Sequence, residues 1–223
     1  MTVDQLIEDR AARLTAYQNT AYAQQYREHI HAVHCRDPKA EAIDSLTRAA
    51  ATQLYRLMAI KDEYEVARLH SDPEFYKQLT GQFTGAYKLR FHLAPPLLCR
   101  PDPITGKIAK REFGGWIRPF FAGLARLKFL RGTRFDVFGH SAERNAERND
   151  LKRYLDLLST VITELDTHNY QEAVALATLP KGLRGFGYVR AKNREAMAQQ
   201  QQQLLAAFLS RDAGTELKAV ANA

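Results

Sequence analysis

Apolar residues recur with the period of an α-helix through residues 1–84 and 136–210. Prolines interrupt this pattern, because the residue before a proline avoids the helical region while proline itself is favoured at the first helical position. The combined signals predict six helices in these two parts of the chain, with the approximate bounds 2–34, 39–69, 73–81, 141–166, 169–179 and 189–210. Residues 211–223 are expected to form a frayed tail.

The middle of the chain has a different pattern. Residues 87–93 alternate between apolar and polar side chains, which is the period of a β-strand. A turn signal at 102–106 and a second extended stretch at 108–113 complete an antiparallel β-hairpin at about residues 86–113. The predicted fold is therefore mainly α, a helical domain with one inserted antiparallel β-hairpin, and the whole chain is expected to be a single domain.

Residues 85–135 also hold the basic excess of the chain. The formal net charge is +7, but this segment alone has eleven Lys or Arg residues against Asp102 and Glu112, so the remainder carries a net −2. Five of the eight prolines and the single tryptophan, Trp116, lie here too, and residues 119–130 have the spacing of a helix. Such a concentration of charge favours an anion, an acidic protein or a nucleic acid as the ligand.

The hairpin and the helix after it are the predicted binding surface. In the stretch 110–116, two cations are followed by Phe113, a glycine pair and Trp116, a pattern that suits a phosphate or an acidic loop. The alternative is a solvated hairpin arm whose two aromatic side chains pack on the core. No catalytic residue is predicted. The residues proposed for anion or partner binding are Arg90, Lys110, Arg111 and Arg131.

Three potential metal ligands lie close together near the end of the first predicted helix. His31, His34 and Cys35 are at positions i, i+3 and i+4, so they share a helix face that could hold zinc. A structural zinc needs a fourth ligand, and no second His/Cys pair is near in sequence. We therefore interpret the group as a polar helix end and expect no metal.

A glycine-rich stretch precedes the last predicted helix. Gly182, Gly185 and Gly187 form GxxGxG, whereas a dinucleotide site has GxGxxG between a strand and a helix. The glycines predict a tight turn. An anion site that uses Arg184 and Arg190 at the start of the helix is the alternative.

Three carboxylates occur within four residues of the second predicted helix. Asp62, Glu63 and Glu65 could in principle support acid–base chemistry if their environments separated their pKa values. A charged run on a helix is more typical of a solvated face, and Glu65 and Arg68 have the spacing of an ion pair. We expect the solvated face.

Other sequence signals bound the function class and the location. The chain contains no GxxxxGK[ST], HExxH, GxSxG or CxxC motif. Its N-terminus is polar and charged, unlike a signal peptide, and no apolar run approaches the ~20 residues of a membrane span. Cys35 and Cys99 make no disulfide framework, so a cytoplasmic location is expected.

Seven stretches of the chain carry a family resemblance: MAIKDEYEVARL at 58–69, LRFHLAPPL at 89–97, DPITG at 102–106, KREFG at 110–114, LARLKFLRGT at 124–133, FDVFG at 135–139 and RGFGYV at 184–189. In this order they resemble the C-terminal domain of the bacterial indolepyruvate ferredoxin oxidoreductase family. The resemblance extends from about Arg13 to Ala207, nearly the whole chain. Enzymes of that family oxidatively decarboxylate 2-oxo acids to acyl-CoA and pass electrons to ferredoxin.

The resemblance implies a non-catalytic docking or stabilising segment of such an enzyme. The family's chemistry uses thiamine diphosphate, magnesium and iron–sulfur clusters, which require a GDG…N motif and several cysteines. This chain has no GDG and only two cysteines, so we expect no cofactor in it and no activity by it alone. The implied partners are other domains or subunits of the parent enzyme, ferredoxin, or a CoA phosphate. The alternative is a free-standing basic helical module that binds nucleic acid or anions, although it has no recognised nucleic-acid-binding motif.

Overall fold

The computed structural model describes residues 1–83, 85, 87–93, 109–185 and 187–210. These residues form nine α-helices and one two-stranded antiparallel sheet, which confirms the predicted mainly α fold with one β-hairpin. The helices are α1 Val3–Tyr17, α2 Thr20–Arg36, α3 Leu46–Met58, α4 Glu63–Ser71, α5 Pro73–Gln82, α6 Arg118–Arg126, α7 Ala142–Glu164, α8 Tyr170–Thr178 and α9 Gly187–Leu209. The strands are β1 Phe91–Leu93 and β2 Arg111–Phe113, and short 3-10 segments cover Gly115–Ile117, Leu127–Leu130 and Leu179–Gly182. The predicted turn at 102–106 and the predicted tail at 211–223 lie outside the described residues.

The chain divides into two compact units. The first consists of Met1–Thr15, Thr20–Met58 and Arg148–Ala223, and the second of Ala16–Asn19 and Ala59–Glu147. The described part of the basic segment falls entirely in the second unit. The single-domain prediction stays a prediction, because a compact unit need not fold independently. No helix of the described residues combines the length and the apolar character needed to cross a lipid bilayer.

Helices α2, α3, α8 and α9 pack in the first unit, where α3 contacts α2 and α8, and α8 contacts α9. Apolar side chains of α2, α3 and α8 are buried together with tyrosine rings, and Phe208 of α9 is buried as well. The Tyr26 hydroxyl donates to the carbonyl of Ala51 at 3.0 Å, and the Tyr154 hydroxyl donates to that of Ala177 at 2.7 Å. Burial raises the pKa of both hydroxyls, which keeps them protonated as donors inside the core.

The first predicted helix is wrong in its continuity. It is two helices, α1 and α2, with a break at residues 18–19. Distant side chains satisfy carbonyl oxygens at the end of α1: Lys128 Nζ donates to Ala16 O at 2.6 Å, and Arg131 Nη1 donates to Tyr17 O at 2.7 Å. Because both donors are remote in sequence, apolar spacing alone could not reveal the break.

The second predicted helix is also wrong, since residues 39–69 begin as an irregular stretch and then form α3 and α4. The buried carboxylate of Asp37 holds the irregular stretch. It accepts from the amide and the hydroxyl of Thr47 at 2.8 Å each, from the amide of Lys39 at 2.9 Å and from the Tyr170 hydroxyl at 2.9 Å. An aspartate that satisfies several nearby donors competes with helix formation.

The second unit packs α4 against α6 and the hairpin. Its apolar cluster joins Ala67 of α4, Phe91 of β1, and Ile117 and Phe121. The strand register sets Phe91 opposite Phe113, and Leu89, Leu93 and Phe113 also pack on this cluster. The predicted apolar face of the hairpin is therefore confirmed, and its polar face is turned away from the cluster.

His70 of α4 adjoins the same cluster. Its ring stacks on Phe121 with centroids 5.2 Å apart and meets Phe91 edge-on at 5.2 Å. Burial lowers the pKa of His70, and the charge of Lys61 lowers it further. The neutral imidazole thus acts as part of the aromatic packing.

We expect Asp37→Ala to destabilise the protein by about 2–4 kcal/mol, because it leaves buried donors of Thr47 and Tyr170 without their acceptor. Thermal unfolding followed by circular dichroism measures the change. Asp44→Ala, which removes an exposed carboxylate from the same stretch, is the control and should cost less than about 0.5 kcal/mol. Equal melting temperatures for the two variants would show that Asp37 does not hold this turn.

The pH dependence of stability should carry a contribution from His70. Because its folded pKa is lowered, this stabilisation is fully present above the unfolded value of about 6.5 and is lost as the pH falls through the folded pKa. Urea unfolding midpoints measured from about pH 7 down to about pH 5 should therefore fall more steeply for the wild type than for His70→Phe. Parallel pH profiles for the two proteins would contradict this assignment.

Candidate anion-binding and docking surface

One face of the β-hairpin is cationic. The register pairs His92 with Glu112, and strand alternation places Arg90 and Lys110 on the same side of the sheet as this pair. Arg90 Nη1 lies 2.7 Å from Glu112 Oε1, yet the two side chains remain 64% and 46% exposed. An exposed ion pair stabilises weakly. With the exposed Lys88 two residues before Arg90, the surface keeps an excess of positive charge.

Three of the four predicted contact residues lie on this hairpin. Arg90, Lys110 and Arg111 are all exposed. Arg111 is opposite Leu93, so alternation places it on the other face from Lys110. The structure therefore places the three cations on the same hairpin but not on the same face of it.

A groove lies beside the hairpin, within the second unit. Its volume is about 500 Å³, and it is lined by Tyr76, Tyr87, Lys88, Leu89, Arg90, Glu112, Gly114, Gly115 and Arg118. The Arg118 guanidinium lies over the Tyr76 ring, 3.9 Å from its centroid. Sequence analysis missed Tyr76, Tyr87 and Arg118 as site residues, because no local signal links α5, the strand and the start of α6.

Exposed aromatic side chains adjoin the hairpin. Trp116 is 72% exposed and Phe120 is 63% exposed. The interpretation in which both aromatics of the 110–116 stretch pack on the core is wrong for Trp116, although Phe113 does pack there. The two rings meet edge-on with centroids 6.0 Å apart. Exposed tryptophan and arginine side chains are both enriched at protein interfaces.

Arg131, the fourth predicted contact residue, belongs to the interior of the second unit. Its side chain is only 11% exposed and forms a bidentate ion pair with Asp62, Nε to Oδ2 at 2.5 Å and Nη2 to Oδ1 at 2.9 Å. Its guanidinium also lies 3.7 Å from the centroid of the Tyr17 ring. Burial is the largest influence and would lower the pKa of Arg131, but the hydrogen bond to Asp62 and the charges of Tyr17, Asp62 and Glu65 together outweigh it, so the pKa is raised. We therefore withdraw Arg131 from the binding surface.

The predicted solvated carboxylate face is also corrected. The Glu65–Arg68 ion pair is confirmed at 2.7 Å, but Asp62 is buried and caps α4 by accepting from the amide of Glu65 at 2.8 Å. Burial raises the pKa of Glu63, whose Oε2 lies 3.8 Å from Arg144 Nη2. These carboxylates stabilise the fold of the second unit.

Asp136 is a buried carboxylate that sequence analysis did not select. It accepts from the amides of Gly132 at 2.8 Å and Gly139 at 3.0 Å, and from the Tyr64 hydroxyl at 3.2 Å. Burial and the neighbouring Asp136 raise the pKa of Tyr64 to about 12. A Cβ on Gly139 would collide with the Asp136 carboxylate, which explains a glycine at that position.

The remaining candidates from sequence contribute little to this surface. His31 and Cys35 are neighbours on α2, Nε2 to Sγ 3.5 Å, and no cluster of three or more potential metal ligands occurs among the described residues. Gly185 has φ +86°, so the tight turn before α9 is confirmed. Arg190 lies 3.8 Å from Asp150, and the anion site suggested there stays a prediction.

Residues 3–203 match a protein family of unknown function, DUF6537. The chain belongs to this family. No curated protein and no solved structure matches it. The assignment of this DUF6537 member to a function therefore depends on the chemistry of its surface.

The buried ion pair can be tested by comparing two arginines of the second unit. Arg131→Gln should destabilise this DUF6537 protein by about 3–5 kcal/mol, because the carboxylate of Asp62 would stay buried without its partner. Arg134→Gln removes an exposed charge and should change stability by less than about 0.5 kcal/mol. Chemical unfolding measures both values. A small effect of Arg131→Gln would show that water replaces the guanidinium and that the pair is not a structural requirement.

Proposed function

We propose that this chain is a non-catalytic docking or stabilising domain of an oxidoreductase like the indolepyruvate ferredoxin oxidoreductases. The observation that carries the proposal is the hairpin, whose cations Arg90, Lys110 and Arg111 are exposed, together with the exposed Trp116 ring, which meets Phe113 of the same hairpin. The seven sequence stretches described above support the identity of the parent enzyme. The parent decarboxylates aryl 2-oxo acids to acyl-CoA with ferredoxin as electron acceptor.

The proposal assigns the chemistry to other parts of the parent. Thiamine diphosphate, magnesium and the iron–sulfur clusters bind there, and this chain contributes contacts rather than ligands. Its partners are the remaining domains or subunits of the parent, or an acidic ferredoxin. The isolated chain folds and does not turn over a 2-oxo acid.

Electrostatics give the docking surface a defined role. Exposed cations attract an acidic partner before contact and so raise the association rate more than they lengthen the lifetime of the complex. At 0.1 M ionic strength their field is screened over about 10 Å. Trp116 and Phe120 then supply apolar area for the bound state, which affects the dissociation rate.

The decisive experiment reverses two charges on the hairpin. Binding of the chain to the remaining domains of the parent enzyme, or to an acidic ferredoxin, is followed by biolayer interferometry at low and high salt. Lys110→Glu/Arg111→Glu should slow association by roughly tenfold at low salt and flatten the salt dependence. Lys152→Glu/Arg153→Glu is the matched control, since it reverses an adjacent exposed Lys–Arg pair on α7.

The possible outcomes separate the competing functions. Equal association rates for both double variants would remove the hairpin from the interface. Loss of folding in the hairpin variant, seen by circular dichroism, would show that Lys110 and Arg111 are structural. Binding of nucleic acid by the chain, with no binding to any part of the parent, would favour the free-standing basic module instead.

A further inference from the structure

We propose that the groove beside the hairpin binds a nucleoside phosphate. This is a small-molecule site that shares Arg90 with the proposed docking surface, and neither proposal depends on the other. It is carried by the size of the groove, by the cations that line it and by the aromatic rings that accompany them.

The groove has the size of a ligand site. Its volume of about 500 Å³ lies within the range of small-molecule pockets, and its lining comes from α5, the segment before β1, β2 and the start of α6, all in the same unit. Tyr76 comes from α5, Leu89 and Arg90 from the segment that leads into β1, and Arg118 begins α6. Leu89 also packs on the apolar cluster, so one wall of the groove is continuous with the core.

The charge of the lining favours an anion. Lys88, Arg90 and Arg118 face a single carboxylate, that of Glu112. Arg90 already contacts Glu112 at 2.7 Å, so Lys88 and Arg118 provide the charge in excess. Arginine and lysine are the side chains that most often hold phosphate, arginine through paired N–H donors.

Because aromatic rings also line the groove, it should prefer an anion that carries a planar group over a bare anion. The Arg118 guanidinium lies over the Tyr76 ring at the groove, and Tyr87, which also lines the groove, is 40% exposed. The Tyr76 hydroxyl donates to the carbonyl of His70 at 2.7 Å, which holds that ring in place. Nucleic-acid bases stack on such rings and guanidinium planes.

Glu112 supplies a further element of recognition. Its carboxylate lines the groove and has acceptor capacity beyond its contact with Arg90. A carboxylate can accept a hydrogen bond from the exocyclic amino group of a base. Cations for the phosphate, a ring for the base and an acceptor for its amino group together define a nucleoside phosphate.

The single tryptophan provides a local reporter. The Trp116 ring lies beside Gly114, which lines the groove, and it is the sole tryptophan of the chain. Titration of the full chain with ADP, adenosine and pyrophosphate is followed by Trp116 fluorescence and by isothermal calorimetry. We expect ADP to bind saturably, and both adenosine and pyrophosphate to bind at least tenfold more weakly, because each lacks half of the contacts.

Two arginines of α6 make a matched pair of variants. Arg118→Gln removes a cation from the groove and should weaken ADP binding about tenfold. Arg126→Gln removes an exposed cation from the other end of the helix and should weaken it less than about twofold, through long-range charge alone. Tyr87→Ala tests the contribution of the aromatic ring and remains informative if Arg118→Gln does not fold. It should weaken the binding of ADP but not the binding of pyrophosphate.

Three outcomes would overturn the proposal. One is no ADP binding up to roughly 1 mM. Another is equal affinity for ADP and pyrophosphate, which would make the groove a bare anion site. The third is an equal loss of ADP affinity in Arg118→Gln and Arg126→Gln, which would show that binding depends only on the net charge of the protein. Since Lys110 and Arg111 do not line the groove, ADP binding should persist in Lys110→Glu/Arg111→Glu even where protein docking is lost.

Discussion

The bidentate ion pair between Arg131 and Asp62 is the interaction on which the second unit depends. Asp62 caps α4 and accepts from Arg131, while Arg131 also donates to the last carbonyl of α1 and lies over the Tyr17 ring. One guanidinium therefore connects the end of α1, the start of α4 and the segment after α6. Removing either charge would leave the other buried without compensation, which costs more than the pair itself contributes.

The position of the proposed binding surface depends on the apolar core of the second unit, which this ion pair helps to stabilise. Because Phe91 and Phe113 face the apolar cluster, strand alternation turns Arg90 and Lys110 away from it. Packing of α6 against α4 places Phe121 inside and leaves Phe120 exposed. Arg90, Lys110 and Phe120 are thus on the outer sides of elements whose inner sides make the core, whereas Arg111 is exposed beyond the apolar cluster on the inner face of the sheet.

The described surface chemistry fits the binding roles proposed above. In those proposals, exposed arginine and lysine speed the encounter with an acidic partner, exposed aromatic rings slow its dissociation, and the groove where Arg118 lies over Tyr76 takes a planar anion. The buried carboxylates are committed to capping helices, to ion pairs and to closing the 132–139 turn.

The sequence by itself determined the fold class, the hairpin and the concentration of charge in it. Pro73 at a helix start and the helical spacing of residues 141–210 are local signals that gave elements close to the observed ones. Strand alternation at 87–93 is also local and indicated the hairpin, although the observed strand covers only Phe91–Leu93. Such signals depend only on neighbours along the chain, so they can be interpreted without the fold.

Tertiary structure decided which charges serve the fold and which face the solvent. Arg131 and Arg111 belong to the same basic segment, yet one is buried against Asp62 and the other is exposed on β2. The breaks between α1 and α2 and within residues 39–69 likewise depend on Lys128, Arg131 and Tyr170, all distant in sequence. The physical reason is the same in each case: a charged or polar group takes its role from the partner that satisfies it, and only folding brings that partner into reach.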